Sequence, residues 1–330
     1  MNKTWIFLCL ILFPFVFIEG QQLSSWSSYY ETGFIWNPAL TAKWNTGEFI
    51  ATHRQDWLGF DGAPEYSNFS FQLPFIAGYN TKSAIGVFFE RDKVGPLEKL
   101  GGAFTYNYRF YPRFFGNKDD VFSIGFMVKI GRYQFNIANV VAFDPDRLLI
   151  NVGEPTSLIS PNSGIGFFYN TASDFYAHQK SHYYVGLSLN QLVPSNIVQF
   201  TGRSDNLSLA RIQSGFHATI HGGYRYIPFR SGHFFEPNLM IIYGLERGIH
   251  AMVNLRYELI NVFWLAGGIA TTGEVFSQLG VVFDNNSILG NMVKNGSLRL
   301  GIKTSYQLGK VKVFGAMGFE FYGAYLFELE

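Results

Sequence analysis

From Lys99 to Glu328 the chain returns repeatedly to about ten residues of strict alternation, apolar on one parity and polar or glycine on the other. Between Gly101 and Tyr111 the even positions are Gly102, Phe104, Tyr106, Tyr108 and Phe110, against Gly101, Ala103, Thr105, Asn107 and Arg109 on the odd ones. Successive side chains of a strand point to opposite faces, so such a segment has one greasy face and one wet face. A soluble sandwich needs only a few strands of this kind. Here the pattern recurs too often, and too aromatically, and reads as a transmembrane β-barrel with lipid outside and water or a plug inside. A large all-β sandwich or propeller is the soluble alternative.

Composition agrees. Aromatic residues make up 18% and charged residues only 15%, with 19 Tyr and 35 Phe, yet mean hydropathy is close to neutral at +0.07. An alternating barrel averages its two faces, so neutrality does not exclude a membrane. The net charge of +1 gives no reason to expect a nucleic-acid partner.

At the N-terminus, Asn2-Lys3 precedes an apolar run from Trp5 to Ile18 and then Glu19-Gly20-Gln21-Gln22. A positive start, a short hydrophobic core and a small residue near the end predict a cleaved secretory signal peptide over 1–20. The run is too short to span a bilayer comfortably as a helix. The single cysteine, Cys9, falls inside it, so thiol chemistry and disulfides are excluded from the expected mature chain. An exported chain full of alternating strands points to a Gram-negative outer membrane.

The spacing predicts strands over 47–56, 66–73, 83–91, 100–111, 121–131, 163–170, 181–190, 214–226, 238–246, 250–259, 262–270, 275–284, 297–307 and 317–328. The expected organisation is a pre-barrel segment over 21–46 and a barrel of about fourteen antiparallel strands over 47–330. An even count returns both ends to one side. Because a lipid-facing Arg or Lys near the midplane costs roughly 2–4 kcal/mol, Arg109, Lys129, Arg225, Arg256 and Arg299 are placed in the lumen. If strand one rises from the periplasm, the two longest connections, 132–162 and 191–213, fall outside. Trp26, Tyr29, Tyr30, Phe34 and Trp36 in the pre-barrel segment need burial, against the inner mouth or within the lumen.

No catalytic constellation emerges, and neither a cofactor nor a metal site is expected. His217 and His221 lie four apart, but on a strand that spacing separates their Cα atoms by roughly 13 Å, so they read as wet lumen histidines. Gly-Gly pairs at 101–102, 222–223 and 267–268 fall within strands, where they mark bends or close approach. No G-x-S-x-G, P-loop or H-E-x-x-H motif is present.

The first hundred residues after the signal carry an ordered series of motifs. Trp36-Asn37-Pro38-Ala39 is followed by Arg54-Gln55-Asp56-Trp57-Leu58-Gly59-Phe60-Asp61-Gly62-Ala63-Pro64, by Ile85-Gly86-Val87, by Asp92-Lys93-Val94-Gly95-Pro96 and by Tyr106-Asn107-Tyr108-Arg109. This series resembles the PorP/SprF family of the type IX secretion system over most of 28–226. The C-terminal third departs from the family's strand motifs. The resemblance implies structural or partner-binding roles for Asn37, Pro38, Arg54, Trp57, Gly59, Gly62, Pro64, Asp92, Gly95, Tyr106 and Tyr108. It also implies a non-enzymatic outer-membrane role in secretion and gliding. The implied partners are the C-terminal domain of a secreted adhesin or other cargo, or periplasmic ring and peptidoglycan-binding lipoproteins. In physical terms Gly59, Gly62 and Pro64 shape the first outer turn, and Asp92 to Pro96 form a tight hairpin turn. Arg54 and Asp56 share one face and Arg91 ends strand three, compatible with a buried polar network under a plug or with a solvated wall. A channel for small or hydrophobic solutes is the alternative function, and a continuous apolar conduit would mark it.

Overall fold

In the computed structural model the described residues are 29–43, 46–77, 80–112, 119–135, 156–157, 159–172, 180–193, 196–199, 211–213, 215–228, 232–244, 248–284, 296–308 and 317–327. The expected signal peptide, with Cys9, lies outside them. Seventeen strands follow in order: β1 (Gly47–Gln55), β2 (Glu65–Ala77), β3 (Asn80–Val94), β4 (Leu97–Phe110), β5 (Val121–Phe135), β6 (Thr156–Ser157), β7 (Ile159–Asn170), β8 (His182–Asn190), β9 (Asn196–Gln199), β10 (Arg211–Gln213), β11 (His217–Arg225), β12 (His233–Gly244), β13 (Gly248–Leu259), β14 (Phe263–Ala270), β15 (Glu274–Asp284), β16 (Gly296–Gln307) and β17 (Met317–Phe327).

Fourteen of these close a barrel in the order β1-β17-β16-β15-β14-β13-β12-β11-β8-β7-β5-β4-β3-β2. Every pairing is antiparallel, and the ring closes where Gly47 faces Phe327 and Gln55 faces Phe319. Each expected span is one of these strands, and most run further than the alternation indicated. β12, for example, starts at His233 rather than 238. The sequence reading missed β6, β9 and β10, which make a separate three-stranded sheet within the two long connections. Turn chemistry follows from local residues. Gly95 and Gly273 take φ of 58° and 83° in the β3–β4 and β14–β15 turns, and Asn261 takes 62° in the β13–β14 turn.

With an even number of strands, the start of β1 at Gly47 and the end of β17 at Phe327 meet at one end of the barrel, called here the terminal end. The turn over 56–64 stands at the far end, as do the end of β5, the start of β7, the end of β8 and the start of β11, which the two long connections join. Over the middle of the wall the outward parity is apolar, with Phe104, Phe126, Val128, Ile130, Val185, Val253, Leu279 and Phe321 exposed. Inward parity carries Thr105, Asn107, Arg109, Ser188, Arg225, Glu236, Arg256 and Lys303, all buried. Aromatic contacts ring the terminal end on the outside: Phe49–Phe71, Phe110–Phe122, Tyr169–Tyr183 and Phe235–Tyr257, with centroids 4.6, 5.0, 6.3 and 5.0 Å apart. Such a girdle marks a membrane interface.

Candidate functional site: a filled lumen

A barrel of this size leaves space inside, and here the chain fills it with its own residues 29–43. Two 3-10 turns, Gly33–Ile35 and Pro38–Leu40, bury Phe34, Ile35, Pro38, Ala39 and Leu40. The expectation of aromatic burial therefore resolves to the lumen for Tyr29, Tyr30, Phe34 and Trp36, with Phe34 packed edge-on against Phe88 of β3 at 5.7 Å, while Trp26 lies outside the described residues.

Asn37 organises the segment. Its side chain caps the second turn by accepting from the Ala39 amide at 3.0 Å. Its Nδ2 donates to the Phe167 carbonyl at 3.0 Å and lies 3.0 Å from His221 Nε2. Pro38 sits at the first position of the turn, where its fixed φ costs nothing and no amide is required. The backbone that follows is read by β4: Asn107 Nδ2 donates to the carbonyls of Ala39 (2.9 Å) and Thr41 (3.1 Å), and Arg109 Nη2 to those of Thr41 (3.0 Å) and Ala42. Ser188 and Asn190 of β8 both donate to the Trp36 carbonyl at 2.7 Å, and the Ala42 amide donates to Gln72 at 2.7 Å. Buried backbone groups of a non-regular segment must find partners, and the barrel wall supplies them.

Close approach depends on missing side chains. A Cβ on Gly125 would collide with the Pro38–Ala39 peptide, one on Gly166 with Asn37 Oδ1, and one on Gly186 with His221. A Cβ on Gly86 would meet Thr105 Oγ1 at 2.6 Å and Thr41 at 3.0 Å. These four inward glycines form a shallow seat for the Asn-Pro-Ala turn.

The other arm of the segment reads charge. Tyr29 donates to Asn238, Tyr30 to Glu236 at 3.0 Å, and Glu31 pairs with Arg256 at 2.6 Å while accepting from Gln278 at 3.0 Å. Arg225 and Glu236, at 2.6 Å, are fully buried, and Arg256 lies between the rings of Tyr30 and Trp264 at 4.7 and 5.0 Å. A cavity of about 20 Å³ remains beside Tyr29, Tyr30, Trp36, Lys43, Tyr184 and His221. That is room for about one water molecule.

Toward the far end the lumen is crossed by ion pairs instead. Arg54 joins Asp56 at 2.8 Å and Glu274 at 3.0 Å, Lys303 joins Glu320 at 3.2 Å, and Glu90 accepts from both Lys99 and Lys129 (2.5 and 2.8 Å). Arg54 and Asp56 thus belong to a buried network rather than a solvated wall. Arg91 does not: it faces outward and pairs with Glu98 at 2.6 Å, because its odd parity in β3 is the outward one.

The structure spreads the motif residues over several parts of the barrel, with Arg54 in the ion-pair network just described. Asn37 and Pro38 lie in the plug. Trp57, Gly59, Gly62 and Pro64 form the turn at the far rim, with Gly59 and Gly62 at φ of 90° and 76° and Trp57 at 47°. That turn is pinned three ways: Asp56 donates to Pro64 (3.0 Å), Leu58 to Met317 (3.1 Å), and Gly95 to Gly62 (2.9 Å). Asp92 is still within β3, so the hairpin turn is only Gly95–Pro96, shorter than the expected Asp92–Pro96. Tyr106 and Tyr108 face outward and exposed, away from the plug. Asn107 and Arg109 between them hold the plug, and the alternation of Tyr-Asn-Tyr-Arg already contained that assignment. Of the two lumen histidines, His221 is buried rather than wet, stacked on Phe168 at 5.9 Å, whereas His217 stays half-buried and meets Trp36 edge-on at 6.4 Å. What sequence reasoning missed are the seat glycines, Glu31, and the polar partners of Tyr29 and Tyr30, whose burial it did expect. The recurrence of glycine on the inward parity, at 86, 125, 166 and 186, was the available signal for the glycines.

No curated protein matches the chain. Among solved structures it is similar in fold to the CymD monoaromatic hydrocarbon channel (TM-score 0.51, 10% identity, covering 91% of this chain and 93% of that one). It is similarly related to the TodX monoaromatic hydrocarbon channel deltaS2 mutant (TM-score 0.50, 10% identity, 90% and 94%). Likeness at that identity concerns the barrel alone. The model of the type IX secretion system membrane protein PorP/SprF matches residues 18–325, taking in the C-terminal third that the motifs left outside. With nearly the whole chain matched and an outer-membrane barrel as its fold, the chain belongs to the PorP/SprF family of type IX secretion membrane proteins.

Proposed function

We propose that the chain is a sealed outer-membrane anchor that engages exported type IX cargo, a large adhesin being the favoured case, at its rim rather than through its lumen. The observation that carries this reading is the seat of residues 29–43. A conduit needs a continuous path, and the inner half of this lumen is occupied by chain whose buried polar groups are bonded to the wall. The far end is taken to face outside, since the two long connections leave from the strand ends there. The terminal end then meets periplasmic ring or peptidoglycan-binding components. A channel for small or hydrophobic solutes has the likeness in fold to hydrocarbon channels in its favour. Against it stands a lumen filled over its inner half by residues 29–43 and crossed toward the far end by buried ion pairs.

Deleting the gene tests the reading. The expected result is one very large protein missing from the cell surface while other type IX cargo is still exported. Retention of all such cargo inside the cell would indicate a core translocon subunit, and loss of nutrient uptake with intact secretion would indicate a channel.

A further inference from the structure

On the far half of the wall, outward-facing Asp, Glu, Lys and Arg occur, among the described residues, only on β2 to β5. The register places them in two adjoining rows. One runs Glu65, Lys93, Glu98, Gln134 and the next Ser67, Arg91, Leu100, Arg132. The row below is Phe69, Phe89, Gly102 and Ile130, with Phe89 62% and Ile130 58% exposed. The change from exposed aromatic to exposed charge within two residues marks where hydrocarbon gives way to headgroups. The outward parity of β7, β8 and β11 to β17 has no such charged row.

Three cations and two carboxylates share this corner. The carboxylates orient a guanidinium: Arg91 Nε bonds Glu98 Oε1 at 2.6 Å, and its Nη1 stands 3.7 Å from Glu65. Its side chain stays 45% exposed. Lys93 lies between Glu65 and Glu98, and Arg132 stands two strands from Arg91, roughly 10 Å away at the usual strand spacing. Guanidinium and ammonium groups held at headgroup depth suit a phosphate monoester, which accepts forked hydrogen bonds and carries the complementary charge. In an outer membrane, phosphate monoesters at that depth belong to the glycolipid of the outer leaflet. We propose that Arg91, Lys93 and Arg132 bind the phosphate of an outer-leaflet glycolipid, fixing the rotational setting of the barrel in its membrane. The choice of glycolipid rests on the far end facing outside.

The test uses the full chain, solubilised and returned to nanodiscs, with bis-phosphorylated lipid A as the probe and native mass spectrometry or thermal shift as the readout. The triple variant Arg91→Gln, Lys93→Gln, Arg132→Gln should bind lipid A about a hundredfold more weakly than the parent, at roughly tenfold or less per lost cation. Dephosphorylated lipid A should bind the parent as weakly as lipid A binds the variant, and millimolar inorganic phosphate should not compete. Heat-modifiable migration confirms that the variant is folded. Equal retention by parent and variant overturns the proposal. Competition by inorganic phosphate alone would make this a free-phosphate site and also overturns it. Preference for phosphatidylglycerol over lipid A overturns the glycolipid assignment and the outward orientation together, while leaving the sealed lumen of the preceding reading untouched.

Discussion

Replacing Gly166 with alanine should loosen the plug while leaving the barrel intact. The new Cβ would overlap Asn37 Oδ1 and stand 3.0 Å from both Asn37 Cγ and Pro38 Cδ. Asn37 cannot move aside without giving up the Ala39 amide, the Phe167 carbonyl and its contact with His221. Overpacking of a filled interior typically costs about 1–3 kcal/mol. The ladder from Gly125 through Gly166 to Ser188 is backbone bonding and does not depend on the side chain. The loss therefore falls on plug docking. Read as hydrogen exchange of the segment 29–43, it corresponds to about 5- to 150-fold faster exchange of the Ala39, Thr41 and Ala42 amides. Heat-modifiable migration should be unchanged. Asn37→Ala should cost about 1–3 kcal/mol by itself, since it leaves the buried Ala39 amide without its acceptor. In that background Gly166→Ala should add little, because the atom it strikes is gone. The cycle is therefore strongly non-additive. Additive effects, or exchange as slow as the parent in Gly166→Ala, would refute the seat.

Other perturbations address the wall. Phe126→Arg places a cation into lipid at roughly 2–4 kcal/mol and should abolish assembly, whereas Phe126→Leu should assemble normally on gels. Glu236→Leu leaves Arg225 buried without its carboxylate and should lower stability by about 3–5 kcal/mol, seen in thermal unfolding in detergent. The double change with Arg225→Leu should recover most of that loss. Deleting 317–330 removes β17 and exposes the edges of β1 and β16, so no folded protein should accumulate in the outer membrane. Normal levels of the truncated form would contradict closure by this strand.

The barrel was legible in the sequence because lipid imposes its parity at every strand. A one-residue slip would turn Arg225 or Arg256 into hydrocarbon, so alternation in 217–225 or 248–259 has a single physical reading. Strand ends were less legible. β12 continues back to His233 through Pro237, a residue that sequence rules place at an edge, and here its missing amide falls between β11 and β12. The strands β6, β9 and β10 have no lipid face to impose a pattern. Arg91 misled for a related reason: an outward arginine is forbidden only where the wall is in hydrocarbon, and β3 extends past it.

The lumen was the least legible part, and physical chemistry explains why it is also the informative one. Outward residues answer to solvent, so any outer-membrane barrel shares their pattern, and 10% identity to a hydrocarbon channel is compatible with the same wall. Inward residues answer to whatever the barrel contains. Gly125, Gly166 and Gly186 look in sequence like weak strand positions, as do any strand glycines. Only the nearness of Asn37 and Pro38 makes them a surface with a shape. Tyr29 to Glu31 likewise carry meaning only opposite Arg225, Glu236 and Arg256, some two hundred residues away. A lumen spent on holding its own chain leaves the rims as the surfaces on which a partner can act, and the far rim is where the family's longest motif folds. There the turn over 56–64 is tied to β17 at Met317 and to the β3–β4 turn at Gly95, while Trp57 and Phe60 stay exposed. Trp57 holds a left-handed φ of 47°, a conformation that a bulky side chain adopts only when its surroundings enforce it. On the proposed reading that a partner acts at this rim, a loop so constrained, with its aromatics outside, would be its contact surface.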